Sequence, residues 1–478
     1  MNIIKGKDNT VSVKRKLMSK IKWLPGSKSN LDMTEGNITR LLIAFSVPLL
    51  LGNAFQQLYN MVDAWVVGNY VSNEAFSAVG TVGPIINTLI SLYLGLSSGA
   101  GVVISQNFGA KKEEAASKAI HTAFVMTFIV AVTMSTLGIL LRDFFLRMMN
   151  TPDNVMPEAR LYLLIFFAGI GGMMFYNIGS AALQAIGDST KPFYFLATAT
   201  VVNIIGDLVF VLVFHMGVEG VALATVIAMA VSAILILITL FRTETCIRLS
   251  IRKMGIDFGT LKQIIRIGIP AALQMGIISF SNIIVQGYIN YFGADVMSGW
   301  TAYTKIDALM LLPMQSIALA TTTFVGQNIG FGKSDRAREG VRTAIRISSL
   351  ITFVLSIPVM IFSPQLVAFF NAKAEVVMCG TQILRWMTPF YILTCSANVM
   401  NSGLRGAGNS KAPMLITIFS YVIFRQIYLF IMSTFIANEM IPICLGYPAG
   451  WILCTIISSI YFNRTNLSKD SVVTPTEA

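Results

Sequence analysis

Charge is scarce in this chain. Of its 478 residues only 12% are Asp, Glu, Lys or Arg, and histidine occurs twice, as His121 and His215. Two histidines so far apart support neither a zinc site nor a Ser-His-Asp hydrolase. Cysteine is thin as well. Cys246, Cys379, Cys395, Cys444 and Cys454 are odd in number, lie mostly in apolar stretches and lack ligand spacing, so no metal centre is expected. No apolar run precedes Leu41, which argues against a cleavable signal peptide. The run Gly187-Asp188-Ser189-Thr190-Lys191-Pro192 lacks the spacing of a phosphate-binding loop. It reads as turn chemistry: Gly ends one helix, polar residues cap the next, and Pro takes its first turn.

Apolar residues fill the space that charge leaves. They make up 55% of the chain, and mean hydropathy is +0.69. Stretches at 41–62, 119–141, 161–186, 218–241 and 350–370 are nearly free of charge. Each reaches the roughly 20 residues needed to cross a hydrocarbon core. They do not alternate as barrel strands would. The expected class is therefore an all-α integral membrane protein with twelve transmembrane helices. The second span, about 33 residues or roughly 50 Å, should protrude from the bilayer.

The chain also repeats itself. Gln106-Asn107-Phe108-Gly109 returns 221 residues later as Gln327-Asn328-Ile329-Gly330. Leu183 to Ser189 returns at the same offset as Leu404 to Ser410, Pro192 returns as Pro413, and Pro48 returns one residue off as Pro270. Duplicated halves are a common transporter plan. The division expected is a basic N-terminal arm (1–40), an N-lobe (41–241), a linker (242–263), a C-lobe (264–463) and a C-terminal tail (464–478).

The net charge of +12 is distributed like a topology signal rather than a nucleic-acid surface. With the N-terminus placed inside, 28 of the 35 Lys and Arg fall on the inner side and 4 on the outer. That asymmetry predicts both termini in the cytoplasm. The arm from Lys5 to Lys28 is expected to be topogenic and disordered, with contact to anionic lipid as the alternative.

Within such spans an ionisable group is costly and usually functional. Asn53, Gln56, Asn60 and Asp63 step along one helical face, predicted to line the bundle interior, the alternative being an Asp63 in water that caps the turn at Gly68-Asn69. Asn203 and Asp207 share a face in the fifth span, and Thr225 in the sixth could add a hydroxyl. Two carboxylates, an amide and a hydroxyl suit either a proton relay or an oxygen cage for Na⁺. Projected by the repeat, Asp63 falls on Ile284 or Val285, Asn203 on Phe424, Asp207 on Tyr428 and Thr225 on Gly446. Only the first half carries the acids, so ion coupling is expected there. The second half offers Lys305 and Asp307, which should not pair with each other, and Arg425. Lys305 either meets a carboxylate across the cavity or snorkels to the interface. Gln274, Asn282 and Gln286 are candidate cavity-lining groups. The 25 Met and 31 Phe are packing residues that would give a deformable surface wherever they face a cavity.

These residues, in this order, resemble the multidrug and toxic compound extrusion (MATE) family, within a superfamily that includes polysaccharide and lipid-linked flippases. The resemblance covers roughly residues 34–463. It rests on Pro48 with Gln56 and Asp63, on Gln106 to Ala110, on Gly187-Asp188-Ser189 with Pro192, on Asn203 with Asp207, and on the later echoes. It implies two pseudo-symmetric six-helix bundles around a central cleft, in the cell membrane of a prokaryote. It further implies export of cationic or amphipathic drugs by alternating access, against inward H⁺ or Na⁺, with no cofactor and no enzymatic activity. Asp63, Asn203, Asp207 and Thr225 match the family's N-lobe coupling site, with possible Na⁺ binding there. Gln56, Asn60, Gln274, Asn282, Lys305 and Asp307 would line the substrate cavity. One branch of the family has a seventh-span Glu where Gln274 stands here, which puts cation binding in the C-lobe in doubt. The alternative function is a flippase for a lipid-linked saccharide. Partners expected are small-molecule drugs or organic cations and membrane lipids, with no nucleic acid, and the chain is expected to be a monomer.

Overall fold

The computed structural model describes residues 31–149 and 151–473, so the basic arm from Lys5 to Lys28 and its expected lipid contact lie outside the described residues. Among those residues there are helices and no strand. The first half contains α1 (Ile38–Tyr70), α2 (Asn73–Gly109), α3 (Glu113–Met148), α4 (Met156–Ala185), α5 (Thr190–Leu208) and α6 (Val218–Arg242). The second half begins with α7 (Phe258–Asn290), α8 (Ala294–Gly330), α9 (Ser334–Ile361) and the short α10 (Ser363–Phe370). It ends with α11 (Ala374–Met387), α12 (Tyr391–Gly406), α13 (Lys411–Ile418), α14 (Arg425–Ile431), α15 (Met440–Cys444) and α16 (Gly446–Arg464). Eleven of these helical stretches are long and apolar enough to cross a membrane unbroken. The twelfth traverse is α11 and α12, separated by a 3₁₀ turn at Thr388–Phe390, where Pro389 cannot donate to the preceding turn. The second span is long, as expected, at 37 residues.

Large apolar side chains such as Phe128, Ile129, Leu140 and Phe353 stand on the outside, as a lipid-facing surface requires. Inside, the first half has two cores, and the second has two large ones with a small cluster of Ala397, Ile416 and Cys454. In the first half Val66, Val82, Phe167 and Val221 form one, and Val103, Ile120, Leu183 and Ile236 form the other. The second core also takes in Ile264 and Ile267 from α7. Reciprocally, Ile38, Leu42, Phe45 and Leu49 of α1 pack with Ile317, Phe324, Val341 and Leu404 of the second half. The lobes therefore exchange the first turns of α1 and α7. Pro48 and Pro270 lie inside these two helices where each passes from one lobe to the other. A proline there frees one backbone carbonyl and lets the two stretches follow different partners.

The repeated Gln-Asn-x-Gly blocks meet at the chain ends. The Gln106 side-chain amide donates to the Gly406 carbonyl at 2.8 Å, and Gln327 donates to the equivalent Ala185 carbonyl at 2.8 Å. The other end of each amide receives a terminal segment: Gln327 Oε1 accepts from Met33 N at 3.0 Å, and Gln106 Oε1 from Val472 N at 2.9 Å. Asn328 and Lys333 donate to the Met33 and Thr34 carbonyls. Gly109 lies against the Gln327 backbone and Gly330 against the Gln106 backbone, closer than any side chain allows. The turn glycines Gly187 (φ +91°) and Gly408 (φ +97°) adopt the left-handed conformation expected of helix ends. Asp188 Oδ1 accepts from Thr190 N and Lys191 N, and Asn409 Oδ1 from Ala412 N, so both turns carry the predicted caps. Beyond Asn53 Nδ2 to Ser316 Oγ at 3.4 Å, no hydrogen bond joins the lobes toward the far end among the described residues. The halves are latched at the end where the chain enters and leaves.

His121, one of the two histidines, serves this end. Its Nε2 accepts from Ser250 N at 3.0 Å, so its Nδ1 donates to the Ser117 carbonyl and the inter-lobe linker is pinned to α3.

Candidate functional site

Four helices converge on Asp63. Its carboxylate is flanked by Asp207, Asn203 and Thr225, and Thr225 Oγ1 approaches Asp63 Oδ2 at 3.5 Å. Asp63 is 8% exposed and Asp207 fully buried. Asp63 lies seven residues before the end of α1, so it does not cap the turn at Gly68-Asn69. Asp207 stands at the end of α5, just before a π turn at Val209–Val213. Such a turn inserts an extra residue and re-aims the face that precedes it. Tyr59 and Tyr162, which residue patterning did not single out, lie beside the acids.

Five polar atoms here are buried without a hydrogen-bond partner among the described residues: Asp63 Oδ1, both oxygens of Asp207, and Oδ1 and Nδ2 of Asn203. Thr225 spends its own proton mainly on the Val221 carbonyl at 3.0 Å. Leaving such groups bare costs several kcal/mol each in a dry interior. Two ionised carboxylates side by side in a dry interior would also repel each other strongly. A proton shared between them, or a small hard cation among the oxygens, relieves both costs. Asp63, Asn203, Asp207 and Thr225 are hard oxygen donors and fit either guest. A cavity of about 80 Å³ reaches Asn203 and Thr225 from the side of Gln56, Tyr59 and Tyr176. It has room for a few waters or a hydrated ion, well below the roughly 300 Å³ of a drug-sized pocket.

The polar stripe on α1 leads from the inter-lobe surface to the acid site, and Gln56 lines the cavity beside Asn203 and Thr225. Asp63 is buried, but Gln56 and Asn60 are exposed and Asn53 turns to Ser316 in the other half.

The second-half candidates do not assemble around one point. Buried Gln274 donates to Thr417 Oγ1 at 3.0 Å, and its Oε1 accepts from Arg405 at 3.0 Å. A guanidinium, that of Arg405, therefore already sits against the Gln274 amide oxygen. Asp307 accepts from Tyr303 and Tyr391 and does not pair with Lys305, which is exposed. Lys305 forms no ion pair among the described residues. Asn282 is exposed and accepts from Arg425 at 2.8 Å, while Gln286 bonds to Asn290 in an exposed position. The first half thus buries Asp63 and Asp207 inside its spans, whereas the second half buries Arg425 and half-buries Arg405.

Two six-helix lobes with crossed entry helices, a one-ended latch and an ion-sized acid site define a membrane transporter rather than an enzyme. The MatE family model matches residues 48–209 and again 270–431, and the chain belongs to that family. Among relatives, it is 28% identical over 438 residues to the probable multidrug resistance protein YoeA of Bacillus subtilis, covering 90% of this chain and 94% of that one. It is 25% identical to the probable multidrug resistance protein NorM of Thermotoga maritima, covering 91% and 95%. A solved outward-facing structure of a multidrug resistance MATE family transporter shares the fold with a TM-score of 0.86, at 23% identity, over 92% of this chain and 98% of that one.

Proposed function

We propose that this protein is a secondary active exporter of cationic or amphipathic small molecules, driven by inward H⁺ or Na⁺ through the N-lobe acid site. The observation that carries the reading is the group of five buried, unpartnered polar atoms on Asp63, Asn203 and Asp207. Buried oxygens that no protein group satisfies are costly to leave bare and suited to receiving a proton or a small cation. The excess of Lys and Arg near the latched end supports a cytoplasmic position for that end. The conformation is then one closed to the cytoplasm, in which the N-lobe accepts an ion from outside. A proton or Na⁺ and a substrate that each favour a different arrangement of α1 and α5 are coupled through that difference alone. Both lobes lie in one chain, so a monomer suffices.

The test uses the full chain in liposomes loaded with ethidium, with a pH gradient and a Na⁺ gradient imposed separately. One of the two should accelerate efflux severalfold, and collapsing that gradient with the matching ionophore should return efflux to the protein-free rate. If neither gradient changes the rate, the protein is not an exporter of this kind.

A further inference from the structure

The N-lobe acids have a counterpart of opposite sign that the transport reading leaves unused. Arg425 opens α14 inside the eleventh span, directly after a π turn at Phe419–Phe424, and is only 3% exposed. Its Nη2 donates to Ser281 Oγ at 2.7 Å and to Asn282 Oδ1 at 2.8 Å. Its guanidinium lies over the Tyr447 ring, 4.5 Å from the centroid. Nε is buried and has no partner among the described residues. No carboxylate pairs with this cation among them either, since Asp307 is engaged by Tyr303 and Tyr391. Nε and Nη2 form the edge of a guanidinium that matches a carboxylate with two parallel hydrogen bonds. One arm of that fork is empty and the other rests on a neutral, exposed amide.

The surroundings specify more than charge. Tyr447 packs against Trp300 at 5.5 Å and Trp451 at 6.2 Å, and Tyr391 stacks on Trp451 at 5.5 Å. Exposed Asn282, in the second half of α7, keeps its hydrogen bonds only on a surface that water reaches. The fork is therefore reached past Asn282, beside the half-buried Tyr447 ring, which Trp300 and Trp451 back from within the lobe core.

We propose that Arg425, with Ser281 and the Tyr447 ring, forms a C-lobe receptor for the carboxylate of a planar aromatic substrate. The proposal rests on the exporter reading and deepens it. Besides cations, the cargo includes aromatic acids and zwitterions, bound on the lobe opposite the coupling ion. The carboxylate takes Nε and displaces the Asn282 amide from Nη2, while its ring lies against Tyr447.

The experiment measures binding to the full chain in lipid nanodiscs by tryptophan quenching, with naphthalene-2-carboxylate, its methyl ester and 2-naphthylmethylammonium as probes. The wild-type protein should bind the acid roughly 10- to 100-fold more tightly than the ester, the range expected for a charge-assisted pair. Arg425→Gln should erase that preference and leave ammonium binding unchanged, and Arg425→Lys should keep part of it. Equal affinity of acid and ester for the wild type overturns the proposal without any mutant that could misfold. An undiminished acid preference in a folded Arg425→Gln overturns it as well. Failure of the exporter reading shows separately: ethidium efflux would then ignore both gradients while the acid preference persists.

Discussion

Replacing Asp63 or Asp207 by Asn should each reduce gradient-driven ethidium efflux to the protein-free rate, leaving a folded protein in the membrane. The amide keeps the volume of the carboxylate and, being neutral, is less costly to bury than an unpaired anion. Stability should therefore hold or rise, which makes loss of transport specific. What the amide lacks is the ability to take up and release a proton, and the charge that would balance Na⁺. Asn203→Ala should be milder, because it removes a ligand but leaves both acids. Efflux from reconstituted protein, read beside size-exclusion profiles, separates the cases. Wild-type rates from both Asp→Asn variants would remove the acid site from the mechanism, whatever the fold.

Much of this was legible in the sequence because bilayer physics writes it there. The hydrocarbon core demands long apolar helices, and eleven such stretches are present, the tenth traverse being interrupted at Pro389. The acid site was legible because a buried Asp is rare in such helices, and the second copy has Ile284 or Val285 and Tyr428 where the first has Asp63 and Asp207. What patterning missed depends on contacts between distant segments. The exchange of entry helices is invisible, since Leu42 and Ile267 look like any apolar residues until their neighbours are known. Pro48 and Pro270 were its one trace, read as repeat markers rather than crossing points. Arg425 was noticed, but its empty fork was not, because Ser281 and Tyr447 lie on other helices. Gln106 and Gln327 were read as scaffold, although each reaches into the opposite half.

That reach leads to the second large effect. A side chain at Gly109 would land on the Gln327 carbonyl, and one at Gly330 on the Gln106 carbonyl. Both obstacles are backbone, held by helix hydrogen bonds, so neither can turn aside. Gly109→Val or Gly330→Val should therefore leave each lobe intact while keeping the latched end from closing. Export should fall to a few per cent of wild type in either variant. Spin labels at exposed Glu114 and Glu339, on opposite lobes near that end, should move several ångströms farther apart. Removing a latch amide instead, as in Gln106→Ala or Gln327→Ala, gives up hydrogen bonds worth about 1 kcal/mol each and should only slow export. The two glutamines are equivalent by the repeat, so their effects should match within a factor of a few. A Gly109→Val protein that transports at the wild-type rate, with an unchanged label distance, would mean that closure here is not needed for the cycle. The contrast with the acids is then informative. Asp63 and Asp207 supply the driving ion's site in one lobe only, whereas the glycines act as a pair because closure needs both halves at once.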